Sequence, residues 1–575
     1  MRISKPVAVF IAGGTIAATM AVIGDPVTAT SSETTYVVLA ASAGEVDNAI
    51  AAVEANDGRV DRVNRAIGLI TATSSNSGFA ARVDASANVS GVARNTPIGS
   101  APSNAINRRD GVEREGQAEA VQARASAATS DVTTDDDDDD DDDEVGAEPL
   151  ASFQWDMRMI GATPDGSYDE QPGRRGVLVG VIDTGIDGSH PDIAPNFNAA
   201  LSRNFTVDIP LIDGACEDEA DGSCNDASDV DEDGHGTHVA GTIASPINGI
   251  GMAGVAPNVT LVNLRAGQDS GFFFLQPTVD ALTYAGDNGI DVVNMSFFID
   301  PWLYNCRNNA ADSAAEQSEQ ATIIDATQRA LDYARAHGVT LIAALGNEHQ
   351  DLGAALKLDE TSPDFPPGTE KSREVANDCL DMPTEGNGVI AVSSVGPSGK
   401  KSDFSNHGLE QNDVAAPGGF FRDYIGTPLN RRPENLILGP YPKNVAINNG
   451  DVDEVTGESL SPFVIAQCTG PTIDSCAYWQ LIQGTSMAAP HAVGVAALIV
   501  SEYGKGERLG GGRTMDPAKV EKILRRSATD VACPAAVITY AAEGRPPSFD
   551  APCIGNAKRN SIYGDGIVNA LRAVD

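Results

Sequence analysis

The 575-residue sequence predicts an α/β protein with a doubly wound, largely parallel sheet and helices on both faces, preceded by a small α+β unit. From residue 149 onward, β-branched runs alternate with helical stretches, which is typical of a parallel sheet covered on both sides. Residues 30–98 carry a shorter strand-and-helix pattern of their own. An unbroken aspartate run, Asp135–Asp143, lies between the two patterned parts, and such a charged block cannot bury itself.

The first 29 residues predict a signal peptide. Arg2 and Lys5 form a short basic region, and an apolar stretch of small residues, Pro6–Gly24, follows. The small residues Val27-Thr28-Ala29 then suit cleavage after Ala29. An uncleaved membrane anchor is the alternative, but Gly13-Gly14 weakens a membrane span. We therefore expect a secreted, extracellular protein without stable membrane association.

Residues 30–98 predict the small α+β unit, because their apolar periodicity switches between strand and helix. The predicted elements are, in chain order, the strand Tyr36–Leu39, the helix Gly44–Ala55, the strand Val60–Ile70, the helix Gly78–Ser86 and the strand Val89–Arg94.

Residues 99–148 predict an acidic, disordered linker, because they are poor in large apolar side chains and contain the aspartate run. Weak collection of calcium by that run is the functional alternative to a simple solvated linker.

Residues 149–575 predict the main α/β body. Its continuous apolar runs predict buried parallel strands, and the stretches between them predict helices. The predicted strands are Val177–Ile182, Thr260–Arg265, Asp291–Ser296 and Thr340–Leu345; the predicted helices are Gly234–Ala244, Gln276–Asn288, Ala321–His337 and one from Ser486 through Ile499.

The charge of the chain excludes two classes of partner. The formal net charge is −42 and the sequence pI is about 4.3. Binding to nucleic acid needs clustered lysine and arginine, and an anionic membrane surface repels so acidic a protein. We therefore expect no nucleic-acid partner, and we read the acidity as a contribution to solubility.

Eight cysteines agree with export, because an even number in an exported chain predicts disulfides. Eight cysteines allow about 105 pairings. Proximity along the chain suggests Cys216–Cys224, Cys468–Cys476 and Cys533–Cys553, which leaves Cys306–Cys379.

Two segments offer a carboxylate and an imidazole for catalysis. Asp183 comes where the strand Val177–Ile182 ends and a glycine turn begins, so its carboxylate is placed to orient an imidazole. His235 lies between two glycines at a predicted helix start, and His238 follows one turn later, so one can face a cleft while the other packs. Taken singly, a capping aspartate and a structural histidine explain these residues equally well.

Two further segments offer a nucleophile and an oxyanion donor. Asn347 follows an apolar strand and Gly346, and its amide N–H is suited to stabilising a tetrahedral oxyanion. Ser486 starts a long helix, where its own backbone N–H lacks a helical partner. A turn asparagine and an N-cap serine are the ordinary explanations.

Together the four segments resemble the signature motifs of the subtilisin-like serine peptidases. The order Asp, His, Asn, Ser matches that family, as do the separations of 52 residues from Asp183 to His235 and 251 from His235 to Ser486. The resemblance covers roughly residues 150–575, so residues 149–575 are expected to be a subtilisin-like peptidase domain. It implies Ser486 as nucleophile, His235 as general base, Asp183 as its orienting group and Asn347 in the oxyanion hole.

The same resemblance implies the substrate cleft. Its two sides are expected to be Ser270 and Gly271 on one strand-like segment, and Ser296 and Phe298 on the other, with Gly346 beside the oxyanion asparagine. Relatives have a glycine pair after the segment matching Met295-Ser296-Phe297, whereas this chain has Phe298 first. Phe298 is expected either to crowd the first specificity pocket or to pack elsewhere.

The resemblance also implies a structural calcium ion and no organic cofactor. Asp192 matches the family's carboxylate ligand, Asn248 its side-chain ligand in a loop, and Gln154 is a candidate third ligand. Oxygen ligands of these types suit calcium. The acidic loop Asp213–Asp233 is a candidate for a second ion.

The segment Tyr36–Arg94 resembles the propeptides that assist folding of these enzymes and then inhibit them. We therefore expect a monomeric serine endopeptidase that acts on proteins or peptides and is inhibited by its own propeptide, which is cut off between Ile98 and Ser152. A peptidase dedicated to processing one precursor is an alternative. A catalytically idle binding protein is another, against which the intact Asp183, His235, Asn347 and Ser486 speak.

Overall fold

The computed structural model describes residues 33–94, 108–117, 148–216, 222–366, 368–506 and 513–575. The predicted signal peptide and most of the predicted acidic linker, including the aspartate run, lie outside the described residues.

The α+β unit is a four-stranded antiparallel sheet in the order β2-β3-β1-β4. Two helices, Val46–Ala55 and Phe79–Asp84, bury their apolar sides against one face of that sheet. The strands are β1 Thr34–Ala40, β2 Arg59–Asn64, β3 Leu69–Ser74 and β4 Val89–Arg94.

One strand predicted in this unit is wrong. The segment Val60–Ile70 is not a single strand but the hairpin β2–β3. The chain reverses between Asn64 and Leu69, where Gly68 has a φ of +78°, a left-handed conformation that glycine adopts without steric cost.

The main body is built on a seven-stranded parallel sheet in the order β13-β12-β9-β8-β5-β7-β6. Its central strands are buried on both faces, which accounts for their continuous apolar runs. The strands are β5 Leu178–Ile182, β6 Arg203–Asn204, β7 Thr260–Arg265, β8 Val292–Met295, β9 Thr340–Ala344, β12 Val389–Val395 and β13 Val414–Pro417.

Helices cover both faces of this sheet, as predicted. On one face lie the helices that carry the candidate base and nucleophile, His235–Ala244 and Thr485–Tyr503, together with Pro517–Ser527. On the other face lie Leu275–Asp287 and Ala314–Ala336. Shorter helices are Arg108–Glu113, Trp155–Ile160, Ser167–Glu170, Lys443–Asn448 and Ala570–Val574.

Smaller antiparallel sheets complete the body, and sequence reasoning missed them. The largest has the order β14-β16-β15 and packs Trp479 and Leu438 against Met252. Its strands are β14 Ile437–Tyr441, β15 Val464–Cys468 and β16 Cys476–Ile482; the two-stranded sheets pair β10 Leu356–Asp359 with β11 Arg373–Ala376, β17 Val537–Ile538 with β18 Ala551–Pro552, and β19 Gly555–Asn556 with β20 Arg559–Asn560.

All four disulfides form the pairs that proximity suggested: Cys216–Cys224, Cys306–Cys379, Cys468–Cys476 and Cys533–Cys553. Among the described residues no helix combines the length and the apolar character that a bilayer-crossing segment needs.

The α+β unit docks on the helices Leu275–Asp287 and Ala314–Ala336. The face of its sheet opposite its own helices shares a hydrophobic core with them, through Val37, Leu39, Ile67, Leu69 and Ala93. Burial of a full-sized apolar side chain stabilises by about 1.5–3 kcal/mol relative to exposure.

Polar contacts fix the register of this docking. Arg62 forms an ion pair with Asp280 at 2.7 Å, and the Asn64 amide donates to the same carboxylate at 2.7 Å. Arg329 donates to the Ala40 carbonyl oxygen at 2.7 Å. The unit is therefore held on the peptidase body by both apolar and charged contacts.

Candidate active site

Asp183 and His235 form a buried pair at the carboxyl edge of the parallel sheet. Asp183 directly follows β5, and His235 is the first residue of the helix His235–Ala244. His235 Nδ1 lies 2.7 Å from Asp183 Oδ1, and the two side chains are almost fully shielded from solvent. An imidazole whose Nδ1–H donates to a carboxylate presents Nε2 as its free base, so this geometry suits a general base.

Gly236 explains why the helix can begin so close to the aspartate. A side-chain carbon at residue 236 would lie 2.1 Å from the Gly185 carbonyl oxygen and 3.0 Å from Asp183 Cβ. Any larger residue would push the helix, and His235 with it, away from Asp183.

Asp231 is a supporting residue that sequence reasoning missed. Its buried carboxylate accepts hydrogen bonds from the Gly234 and Thr237 backbone N–H groups and from the hydroxyls of Thr237 and Thr184. It thereby caps the first turn of the helix and ties it to the turn after β5. Burial raises the pKa of Asp231 and Asp233 raises it further, against hydrogen bonds from Thr237 and Gly234 that lower it. An aspartate four residues before the histidine was the available signal.

His238 is the histidine that packs. Its Nε2 lies 3.1 Å from the Ile437 carbonyl oxygen and 3.2 Å from that of Gln480, both in the β14-β16 pair. Burial lowers the pKa of His238 to about 3, so the ring is neutral at neutral pH. His238 therefore anchors the helix to the small sheet.

Ser486 and Asn347 meet at the start of the helix Thr485–Tyr503. The Asn347 side-chain oxygen accepts from the Thr485 backbone N–H at 2.9 Å and from its hydroxyl at 2.8 Å. The N–H₂ group of the Asn347 amide can therefore donate to another acceptor. Ser486 Oγ lies 3.5 Å from the Ser296 carbonyl oxygen, and Ser296 Oγ donates to the Ser486 carbonyl oxygen at 3.1 Å.

A helical segment from the predicted linker lies against these residues. Residues 108–117 include the helix Arg108–Glu113, and Glu113 Oε1 lies 3.4 Å from His235 Nε2. The Gln483 backbone N–H donates to the Glu113 carbonyl oxygen at 3.2 Å. The Gln483 side-chain amide donates to the Val112 carbonyl oxygen at 3.0 Å. Disorder throughout residues 99–148 is therefore not what the structure shows.

Glu115 and Gly116 extend this docking. Glu115 forms ion pairs with Arg422 at 2.5 Å and Arg545 at 2.8 Å. A side-chain carbon at Gly116 would lie 2.7 Å from the Phe463 ring, so glycine allows this close approach. The partners of the segment are hundreds of residues away in sequence, which is why local composition did not reveal the contact.

A cavity of about 1050 Å³ opens beside Ser486. Of the predicted substrate-binding residues, Gly271, Ser296, Phe298 and Gly346 line it, and so does Asn347. Ser270 does not line it, because its hydroxyl and backbone N–H both donate to Asp213.

Phe298 forms part of the cavity wall. Its ring packs against the buried cluster that contains Leu303, Tyr304 and Leu345. The ring is thus anchored against its neighbours and also borders the cavity, while its effect on a specificity pocket stays a prediction.

The three predicted calcium ligands lie close together, but protein donors already occupy their oxygens. Asp192 Oδ2 accepts from the Met252 backbone N–H at 3.0 Å and from the Trp479 indole at 2.8 Å. Asn248 turns its N–H₂ towards Asp192 and its oxygen towards the Ile250 N–H. The Gln154 amide bonds to the backbone of Ala253 at both ends.

These hydrogen bonds speak against a preformed calcium site, and calcium binding by Gln154, Asp192 and Asn248 stays a prediction. Burial raises the pKa of Asp192 to about 7, against hydrogen bonds from Met252, Trp479 and Asn248 that lower it.

A buried arginine lies among three carboxylates, one of which, Asp226, belongs to the acidic loop Asp213–Asp233; a second ion in that loop stays a prediction. Asp208, Asp226 and Asp269 bring carboxylate oxygens within metal-binding range of one another. The Arg265 guanidinium forms ion pairs with all three, at 2.9 Å to Asp208 and 2.7 Å to Asp269. This cluster is therefore already neutralised in part by a fixed cation.

Comparisons with known proteins identify relatives of this chain. A family model described as the subtilase family matches residues 174–564. Subtilisin DY from Bacillus licheniformis is 26% identical over 355 residues, which are 62% of this chain and 84% of that protein. The epidermin leader peptide-processing serine protease EpiP of Staphylococcus epidermidis is 28% identical over 359 residues, 62% of this chain and 67% of that protein.

Solved structures agree on the fold. The crystal structure of the epidermin leader peptide-processing serine protease from Staphylococcus aureus aligns with a TM-score of 0.57 at 22% identity, and the alignment covers 95% of this chain and 98% of that one. The matched family region contains Asp183, His235, Asn347 and Ser486 and spans more than half of the sequence. The chain therefore belongs to the subtilase family of serine peptidases.

Proposed function

We propose that this serine endopeptidase is made as a secreted precursor and cleaves peptide bonds through an acyl-enzyme on Ser486. The observation that carries the proposal is the buried Asp183–His235 pair, with 2.7 Å between carboxylate and imidazole, next to the helix that begins at Thr485. The reaction needs no organic cofactor, because side chains supply the nucleophile, the base and the oxyanion donors.

Each residue has one role in this mechanism. His235 Nε2 removes the proton from Ser486 Oγ as the oxygen attacks the peptide carbonyl, and Asp183 stabilises the imidazolium that results. The Asn347 N–H₂ and the Ser486 backbone N–H stabilise the oxyanion. His235 then gives the proton to the leaving amine, and water repeats the sequence to release the acid and free the serine.

The segment 108–117 supports autoinhibition of the precursor. Glu113 occupies the side of His235 on which Ser486 and a substrate must act. Contacts of the segment with Gln483, Arg422 and Arg545 hold Glu113 in this position. We infer that the segment 108–117 closes the site while the α+β unit docks on the far helices, so the segment must leave before substrate enters. We also propose that the enzyme acts as a monomer.

Active-site labelling tests the proposed function. The processed protein is treated with a fluorophosphonate, and mass spectrometry locates the adduct. We expect one adduct, on Ser486, and loss of casein hydrolysis in proportion to labelling. Ser486→Ala should abolish both. Ser501→Ala is the matched control, because Ser501 is a buried serine of the same helix whose hydroxyl, among the residues that the structure describes, bonds to Ala497 and Arg174. Absence of an adduct on Ser486 overturns the proposal.

A further inference from the structure

The cavity beside Ser486 receives the side chain of the residue that precedes the cleaved bond, if Ser486 is the nucleophile. Ser486, Asn347 and Ser296 all line it, so a carbonyl held between nucleophile and oxyanion donor places its own side chain there. Its volume of about 1050 Å³ leaves room for a long side chain.

The lining of this cavity is strongly acidic. Carboxylates on it include those of Asp300, Glu348, Glu360, Asp364, Glu370 and Asp381. Glu348 directly follows the proposed oxyanion donor, Asn347, in the chain. Such a lining attracts cations and disfavours acidic side chains.

Like Asp364, Asp381 has a buried carboxylate oxygen that no described residue satisfies. Only 2% of the residue is exposed, and it lines the cavity. Its Oδ1 is buried without a hydrogen-bond donor from the residues that the structure describes. A buried carboxylate oxygen normally has such a donor, because its desolvation is costly.

The cations near Asp381 have other partners as well. Lys357 lowers the pKa of Asp381, but its Nζ donates to the Leu352 carbonyl oxygen at 3.2 Å and lies 4.8 Å from the centre of the Tyr304 ring. Arg545, which also lines the cavity, is bound to Asp403, and also to Glu115 while the segment 108–117 is docked. His349 is neutral at neutral pH, because burial lowers its pKa to about 4.

The surroundings of the inner carboxylates disfavour their ionised forms. Burial raises the pKa of Asp381 well above its usual range, and Glu348 and Glu385 raise it further, against a lowering by Lys357. Burial also raises the pKa of Glu348, although Asn406 donates to its carboxylate at 2.8 Å. A cation placed between these groups would stabilise their ionised forms.

We propose that this cavity binds a cationic side chain, arginine or lysine, of the residue before the cleaved bond, with Asp381 and Glu348 as its counter-ions. The Phe298 ring and Ala344 give an apolar wall for the aliphatic stem, while the charged end reaches the carboxylates. The inference rests on the proposed function, since it assigns the substrate class of that same site. It also makes cleavage after basic residues, as in precursor processing, the activity that this chain favours.

Matched substrates test the inference. Processed wild-type enzyme is given fluorogenic peptides that differ only in the residue before the cleaved bond: arginine against citrulline, and lysine against norleucine. We expect kcat/KM for arginine to exceed that for citrulline by about 100-fold or more, because only arginine supplies the buried charge partner. A ratio within about threefold of one, where the free-energy difference is below RT ln 3, overturns the inference.

Variants locate the effect. Asp381→Asn should bring the arginine-to-citrulline ratio towards one, and Asp381→Glu should restore part of it. Glu370→Gln is the matched control, because Glu370 is an exposed carboxylate on the same cavity, and it should keep the ratio. An equal loss of the ratio in Glu370→Gln and Asp381→Asn overturns the assignment to Asp381. If Asp381→Asn does not fold, the wild-type ratio still decides.

Fluorophosphonate labelling of the same preparation separates the two claims. An adduct on Ser486 together with no preference for arginine overturns this inference and leaves the proposed function standing. No adduct in processed enzyme overturns the proposed function itself.

Discussion

Thr485 fixes the orientation of the Asn347 amide: its backbone N–H and its hydroxyl both donate to the Asn347 side-chain oxygen, at 2.9 and 2.8 Å. The same hydroxyl accepts from the Gly346 backbone N–H at 3.1 Å. Thr485, which immediately precedes the proposed nucleophile Ser486, therefore orients the proposed oxyanion donor. The same helix start thus positions Ser486 and Asn347.

Replacing the proposed donor should impair turnover far more than binding. Asn347→Ala is expected to lower kcat about 10²–10³-fold with little change in KM, because the oxyanion exists only after attack. Thr485→Val, which removes one of the two bonds that orient the amide, should lower kcat by a smaller factor. Steady-state kinetics on one peptide checks both. The double variant should be no worse than Asn347→Ala alone; additive losses would contradict the proposed coupling.

Removing the Glu113 carboxylate should open the precursor. In Glu113→Ala, the contact to His235 is lost, and we expect the unprocessed chain to react faster with a fluorophosphonate, as measured by labelling rate on gels. Glu54→Ala is the control, since it removes an exposed glutamate of the α+β unit remote from the site. If the precursor labels at the same slow rate in both variants, Glu113 does not close the site.

Metal removal should leave stability unchanged. Because donors from the protein already satisfy the oxygens of Gln154, Asp192 and Asn248, we expect EDTA to change Tm of the Ser486→Ala precursor by less than about 2 °C. Calorimetry with EDTA and with added calcium measures this. A fall of several degrees that calcium reverses, and that Asn248→Ala abolishes, would establish calcium at this loop after all.

Acid should destabilise the fold through buried neutral histidines. The folded-state pKa of His238 is about 3, below its usual 6.5, because of burial. Between these values the unfolded chain binds a proton that the folded chain does not, so stability falls as pH falls from about 6.5 towards 3. His238→Gln keeps a donor for the Ile437 and Gln480 carbonyls. In this variant, the number of protons taken up on unfolding near pH 5 should fall by about one per molecule.

Denaturant unfolding across pH, in the Ser486→Ala background to prevent autolysis, gives that proton number. His337→Gln, at the surface, serves as control. An unchanged pH slope in His238→Gln would show that the imidazole titrates normally in the folded protein.

The pattern of apolar residues predicted most of the main body, because strands that are buried on both faces have continuous apolar sequences. β7 matches its prediction at both ends, Thr260 and Arg265. The helix Ala314–Ala336 begins earlier than the predicted Ala321, although its capping box of Ser313 and Glu316 was readable in the sequence. That cap outweighs the weak apolar pattern of the first turns.

The proposed catalytic residues were predictable because four short motifs keep their order. Asp231 was missed although its contacts are local, whereas Asp381 is an ordinary loop aspartate in sequence that only the fold places in the cavity. The segment 108–117 likewise gains its place from Gln483 and two arginines. The small sheet β14-β16-β15 was missed because its strands pair out of chain order, with β16 between β14 and β15.

The apolar face shared by the α+β unit and the helices Leu275–Asp287 and Ala314–Ala336 has a kinetic consequence. While the backbone between the two parts is intact, re-docking is intramolecular and its effective concentration is high. A single backbone cut lowers only this effective concentration and leaves the docked contacts intact. The unit therefore stays bound until dilution, or its own digestion, drives the equilibrium towards separation. Onset of activity should therefore lag behind the cut, and the lag should shorten as the preparation is diluted.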